Sequence, residues 1–217
     1  PIKIGEKSFE EVSRFIQEII SDPNVWGREE SLKRQKMLEK AQAGDINSIE
    51  ETKYIISKII DQYGLKVEGM TSEDLCYKIY SKIWGLDVLE ELYHDGSIDE
   101  IRVNSPDKVF IQKRGKNYKS NIKFKDEDHV KRILSRLFVH DRGVALTTST
   151  PAIESIREDG TRVTATCSPV TGNSTFVLRK HGTFKMTKEN LIKAGTLNEE
   201  ILNLLEKLVR GRGNIMI

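Results

Sequence analysis

The chain has 217 residues, 37% of them apolar and 31% charged, with a formal net charge of +2. That balance excludes a disordered polyelectrolyte and leaves enough apolar matter for one large or two small cores. No run reaches the roughly 18 apolar residues of a membrane helix, and no signal peptide is visible. Pro1 stands where Met is expected, which points to a trimmed chain. Cys76 and Cys167 do not form a metal-type pair, and their apolar settings suggest buried, reduced thiols.

Helical spacing of apolar residues runs over 8–20, 29–43 and 46–62, and Tyr63-Gly64 closes the third segment. Residues 1–70 therefore read as a helical appendage with little chemistry of its own. A fourth helix is expected after Thr71, its N-cap, with Asp74 three residues on. Its stripe is Leu75, Ile79, Ile83, Leu86 and Leu89; Gly85 weakens the middle and Gly96 ends it.

The period then changes to two. Ile98, Ile101 and Val103 form one segment, Val109 and Ile111 the next, and Ile122 and Phe124 a third, with turns at Asn104-Ser-Pro-Asp and Arg114-Gly-Lys-Asn. Asp126-Glu127 open a helix with stripe Val130, Ile133, Leu134, Leu137 and Phe138, its acids at the start and Arg142 past the end. Residues 151–158 read as a fourth strand. The stretch 160–180 reads as two more, joined by Pro169-Val-Thr-Gly-Asn. The expected fold class is α+β: a mainly antiparallel sheet domain with flanking helices over 71–180.

Residues 181–187 look like a linker. Thr187 and Asn198 cap two short helices, and Asn214-Ile-Met-Ile217 reads as a buried parallel strand that needs neighbours. The expectation is that 188–217 begin a second domain, cut short.

The chemistry concentrates at the 160–180 pair. Arg162 starts one strand and Arg179 ends the other, so an antiparallel pairing brings both guanidiniums together. Two planar forks converging on one anion suit a phosphate; the alternative is that each pairs with a surface carboxylate. Other signatures are missing. The sequence holds no Gly-x-x-x-x-Gly-Lys-Ser/Thr loop, His-Glu-x-x-His, Gly-x-Ser-x-Gly or Cys-x-x-Cys. His129 and His140 lie eleven apart, but two histidines without a third ligand do not make a metal site. Glu154, Glu158 and Asp159 read as solvated strand-edge acids. Residues 108–142 carry eleven Lys/Arg with Phe110 and Tyr118 among them. A non-enzymatic basic module for nucleic acid or an acidic protein surface is thus the second reading.

Four stretches, in order, carry a resemblance: Gly85-Leu-Asp-Val-Leu-Glu-Glu-Leu92; Ile98-Asp-Glu-Ile-Arg-Val-Asn-Ser-Pro-Asp-Lys-Val-Phe-Ile111; Asp159-Gly-Thr-Arg-Val with Ser168-Pro-Val-Thr and Val177-Leu-Arg-Lys180; and Glu189-Asn-Leu-Ile-Lys-Ala-Gly195 with Gly211-Arg-Gly-Asn-Ile-Met-Ile217. Over about 72–217 the chain resembles the N-terminal part of the secretion-ATPase superfamily, the motors of type II and type IV secretion and of type IV and tight-adherence pili. The resemblance implies a sheet domain lying over a RecA-like domain, with ATP and Mg in the cleft between them. It implies a homo-hexamer on the cytoplasmic face of the membrane, docked on an inner-membrane platform protein, with nucleic acid not an expected partner. It puts Arg162 and Arg179 at the terminal phosphate, with Arg142 nearby. The Walker A loop, metal-binding acids and catalytic glutamate would follow Ile217, so no catalytic or metal residue is expected in 1–217 and no tightly bound cofactor.

Overall fold

Each long helix begins where a short polar side chain takes the first free amides. In the computed structural model, which describes residues 8–139, 145–181 and 187–216, α1 (Phe9–Ser21) starts on a capping box of Ser8 and Glu11. Two further helices, α2 (Pro23–Trp26) and α3 (Arg28–Gln42), lead to α4 (Ile46–Tyr63), which Asp45 caps and Gly64 closes in the left-handed region at φ 57°. The fourth expected helix is α5 (Ser72–Ile83), with the Thr71/Asp74 box in place. Val12, Ile16 and Ile20 of α1, Ile56, Ile59 and Ile60 of α4, and Leu75 and Ile79 of α5 share one apolar cluster with Trp84.

The stripe expected to continue through Leu89 breaks at Trp84-Gly85. The chain turns through a short 3-10 stretch (Asp87–Leu89) into α6 (Glu90–His94). The cause is local: the buried Glu90 carboxylate accepts from Leu86 N at 2.5 Å and lies where a side chain at position 85 would go. Arg136 reaches over to donate to Gly85 O at 2.8 Å.

Six strands follow: β1 (Glu100–Ser105), β2 (Lys108–Lys113), β3 (Lys116–Lys119), β4 (Ala152–Ile156), β5 (Arg162–Thr166) and β6 (Thr175–Arg179). They form a single sheet in the order β3-β2-β1-β6-β5-β4, every neighbour antiparallel, which with the helices makes the fold α+β. The expected third strand at Ile122 and Phe124 is corrected. Arg114 (φ 48°) and Gly115 (φ 76°) both take positive φ, the requirement of a two-residue hairpin turn, and this returns the chain at once as β3. Phe124 is apolar for another reason: it is buried and meets Phe176 edge-on at 6.3 Å between centroids.

One sheet face packs beneath α7 (Glu127–Leu137), which Asp126 caps. Val130, Ile133, Leu134 and Leu137 lie on Ile101, Val103, Val109, Val163, Phe176 and Leu178. The opposite face carries the alternate residues, among them Glu100, Arg102, Gln112, Arg162, Thr164 and Arg179. Both cysteines are half-buried free thiols, short of the full burial expected; burial pushes the Cys76 thiol up.

The chain divides into two units, Pro1–His181 and Gly182–Ile217. In the second, Thr187 caps α8 (Lys188–Lys193), Asn198 caps α9 (Glu199–Arg210), and Lys188 pairs with Glu206. Residues 211–216 hold no strand, against the expectation for the tail, and Ile217 lies outside the described residues. A buried strand needs ladder partners, and none stands beside it among the described residues of this unit. No helix among the described residues is long and apolar enough to cross a membrane.

The carboxylates that organise turns and caps set an acid response. Hydrogen bonds from Ser48 hold Asp45 below its ordinary value, those from Thr71 do the same for Asp74, and those from Ser97 and then Lys113 hold Asp95 well below it. A carboxyl depressed in the fold stabilises above its unfolded value of about 3.9 and loses that contribution as pH falls through the folded value. Melting temperature should therefore fall between about pH 5 and pH 2, and Asp95→Asn should flatten that slope. An acid slope unchanged by Asp95→Asn would contradict the assignment.

Candidate functional site

The register across the sheet places the two arginines. Arg162 of β5 stands directly opposite Arg179 of β6, and Arg179 in turn stands opposite Glu100 of β1. Directly opposed residues have Cβ atoms about 5 Å apart, where like charges repel unless something of opposite sign lies between them. A carboxylate is at hand, but it is occupied: Glu100 takes Arg102 Nε at 3.1 Å, and Arg102 also donates to Asn117. Among the described residues neither Arg162 nor Arg179 has a carboxylate within ion-pair range, and both side chains are solvent-exposed. The surface-pair alternative does not describe them. Arg142 lies outside the described residues.

Both strand ends are fastened to α6. The β4–β5 turn closes with Arg157 N donating to Thr161 O at 2.9 Å and Gly160 N to Arg157 O at 2.9 Å, with Gly160 at φ 82°. Inward-facing Arg157 and Thr161 are buried there beside Tyr93. Arg157 Nε donates to Tyr93 Oη at 3.1 Å, Thr161 Oγ1 lies 3.0 Å from the same oxygen, and Tyr93 donates to Asp159. Asp159 completes the ring by accepting from Thr161 N at 2.9 Å. Burial, more than the opposing charges of Arg157 and Asp159, pushes the Tyr93 hydroxyl up to about 12, so it keeps its proton.

On the other strand, Lys180 follows Arg179. Its ammonium donates to Tyr93 O at 2.9 Å, Asp95 O at 2.5 Å and Leu92 O at 3.3 Å, the carbonyls that end α6. Burial lowers the Lys180 pKa. The helices reach the same turn, since Glu158 N donates to Ala43 O at 3.2 Å, and a Cβ on Gly44 would meet Arg157 Nη2 at 3.2 Å.

Asp159, expected to be a solvated acid, is thus corrected to a structural acceptor. Its burial partner Tyr93 lies 66 residues away in sequence. The signal was period two itself: Ile153, Ser155 and Arg157 alternate inward, so the arginine had to end inside.

The other candidates disperse. His129 pairs with Asp87 at 2.9 Å and accepts from Lys125 N at 3.3 Å, while His140 lies outside the described residues. No group of three or more His, Cys, Asp or Glu among the described residues is arranged for a metal. In the basic region Lys113 is held by Asp95 at 2.9 Å and Lys131 lies 3.7 Å from Asp128. Phe110 is half-buried on the open sheet face, and Tyr118 is exposed on β3.

No protein-family model matches the chain, and no curated protein matches it. Among solved structures it is similar to the VirB11 ATPase of the Brucella suis type IV secretion system in complex with sulphate, at 21% identity and a TM-score of 0.44. That similarity covers 58% of this chain and 41% of the other, so the chain spans about two fifths of the solved protein's length.

Proposed function

We propose that the chain is the nucleotide-clamping N-terminal region of a secretion or pilus motor ATPase, in which Arg162 and Arg179 take the terminal phosphate of ATP. The observation that carries this reading is the cross-strand arginine pair held without a carboxylate, in the stretch whose motifs resemble that superfamily. Two guanidiniums forced together cost free energy when empty and regain it on an anion bearing two or more negative charges. Bound across the γ-phosphate, they neutralise charge as it develops on the leaving group, and loss of that phosphate frees the strands' end to move. Arg142 is proposed to stand nearby.

ATP and Mg would be held mainly by a RecA-like domain following residue 217, with 71–180 as the N-terminal domain, 181–187 as the linker and 1–70 as the helical appendage. The assembly is proposed to be a hexamer at the cytoplasmic membrane face, docked on a platform protein. The 217-residue chain by itself is proposed to hydrolyse nothing. The basic-module reading is weaker, because its lysines are partly committed to carboxylates: Lys113 sits on Asp95.

The test is ATP turnover by the full-length protein. Arg162→Ala and Arg179→Ala should each lower kcat on the order of a hundredfold, the usual cost of one charge-stabilising donor. Unchanged turnover in both variants would overturn the assigned role.

A further inference from the structure

We infer that Tyr93 and Lys180 are the positioning residues of the arginine pair, and that the short helix α6 sets the spacing of its two guanidiniums. The inference rests on the phosphate reading above for its function, though not for its geometry. Tyr93 grips the residues on either side of the β4–β5 turn through Arg157, Asp159 and Thr161, and Thr161 immediately precedes Arg162. Lys180 immediately follows Arg179 and is tied to the carbonyls of Leu92, Tyr93 and Asp95. One residue, Tyr93, therefore anchors both strands, by its side chain on β5 and by its backbone on β6. Alternation then throws the two arginines onto the opposite face from their anchors, one residue beyond each.

The anchor also links to the N-terminal helices. Ala43 O takes Glu158 N, and Gly44 leaves only the space that Arg157 Nη2 fills. Nη1 of Arg157 is buried with no partner among the described residues. A buried cation so incompletely satisfied is sensitive to small displacements of its neighbours. Movement of the α3–α4 turn would accordingly reach Arg162 through Arg157 and Tyr93, which gives the N-terminal helices a handle on the phosphate site.

The experiment uses the 15N-labelled 217-residue chain titrated with sodium tripolyphosphate, following the Nε–Hε resonances of Arg162 and Arg179. Tyr93→Phe and Lys180→Met should each shift those resonances in the free protein and weaken tripolyphosphate binding about fivefold, while Lys180→Arg restores wild-type behaviour. A residue that only supported the fold would lower the melting temperature and leave the affinity of the folded protein alone. Wild-type resonances and affinity in both Tyr93→Phe and Lys180→Met would overturn the inference. If Tyr93→Phe fails to fold, the Lys180→Met and Lys180→Arg pair decides by the same criterion. Arg162→Ala separates the two claims. If it binds tripolyphosphate like the wild type, the phosphate reading falls, and the positioning inference is judged on the resonance shifts alone.

Discussion

Gly85→Ala should destabilise the protein by about 3 kcal/mol, although an exposed helical glycine replaced by alanine normally gains. A Cβ at 85 would meet Glu90 Oε2 at 2.5 Å and Ser81 Cα at 2.9 Å. Ser81 Cα is α5 backbone and cannot yield without moving the helix end. Glu90 can yield only by swinging a carboxylate that is 3% exposed away from Leu86 N, leaving a buried donor and a buried charge both unsatisfied. Urea unfolding should show a lower midpoint with an unchanged slope. In a Glu90→Ala background the same Gly85→Ala change should cost much less, because the obstructing atoms are gone. Equal costs in the two backgrounds would contradict the packing described.

Phe176→Ala should cost about 3–5 kcal/mol, the range for emptying a large aromatic site in a packed core. Phe176 is 1% exposed at the centre of the sheet, opposite Val103 on one side and Ala165 on the other. Its ring also supplies the edge-on partner of Phe124, which holds the irregular segment between β3 and α7 against the sheet. Truncation thus leaves a cavity and loosens a segment that has no ladder of its own. Amide exchange should quicken in 120–125 as well as in β6. A loss below about 1 kcal/mol would mean that the core collapses around the gap instead.

These two sites show where sequence reasoning reaches and where it stops. Helices with a cap and a clean stripe, such as α1, α4 and α7, were legible because both signals are local. So was the pairing of Arg162 with Arg179, since the turn between their strands lies within one short stretch. Gly85 was legible only as a weak point in a helix, because what ends the helix is the carboxylate of Glu90 folding back over it. Phe124 alternated like a strand residue because it had to face the core, and a two-residue turn upstream had already used the adjacent strand position. The anchor of the arginines was not legible, since Tyr93 meets Arg157 and Thr161 across more than sixty residues of chain. Asp159 in an Asp-Gly turn looked like any surface acid until that tyrosine was placed beside it.

The central claim is that the opposed arginines read the terminal phosphate of a nucleotide. Its most direct test is the affinity of the full-length protein for ATPγS against ADP, in the wild type and in Arg162→Ala/Arg179→Ala. The account predicts that the double variant loses at least about tenfold in ATPγS affinity while ADP affinity stays unchanged, since ADP lacks the group those side chains hold. If the double variant binds ATPγS as tightly as the wild type does, the arginine pair is not a phosphate clamp.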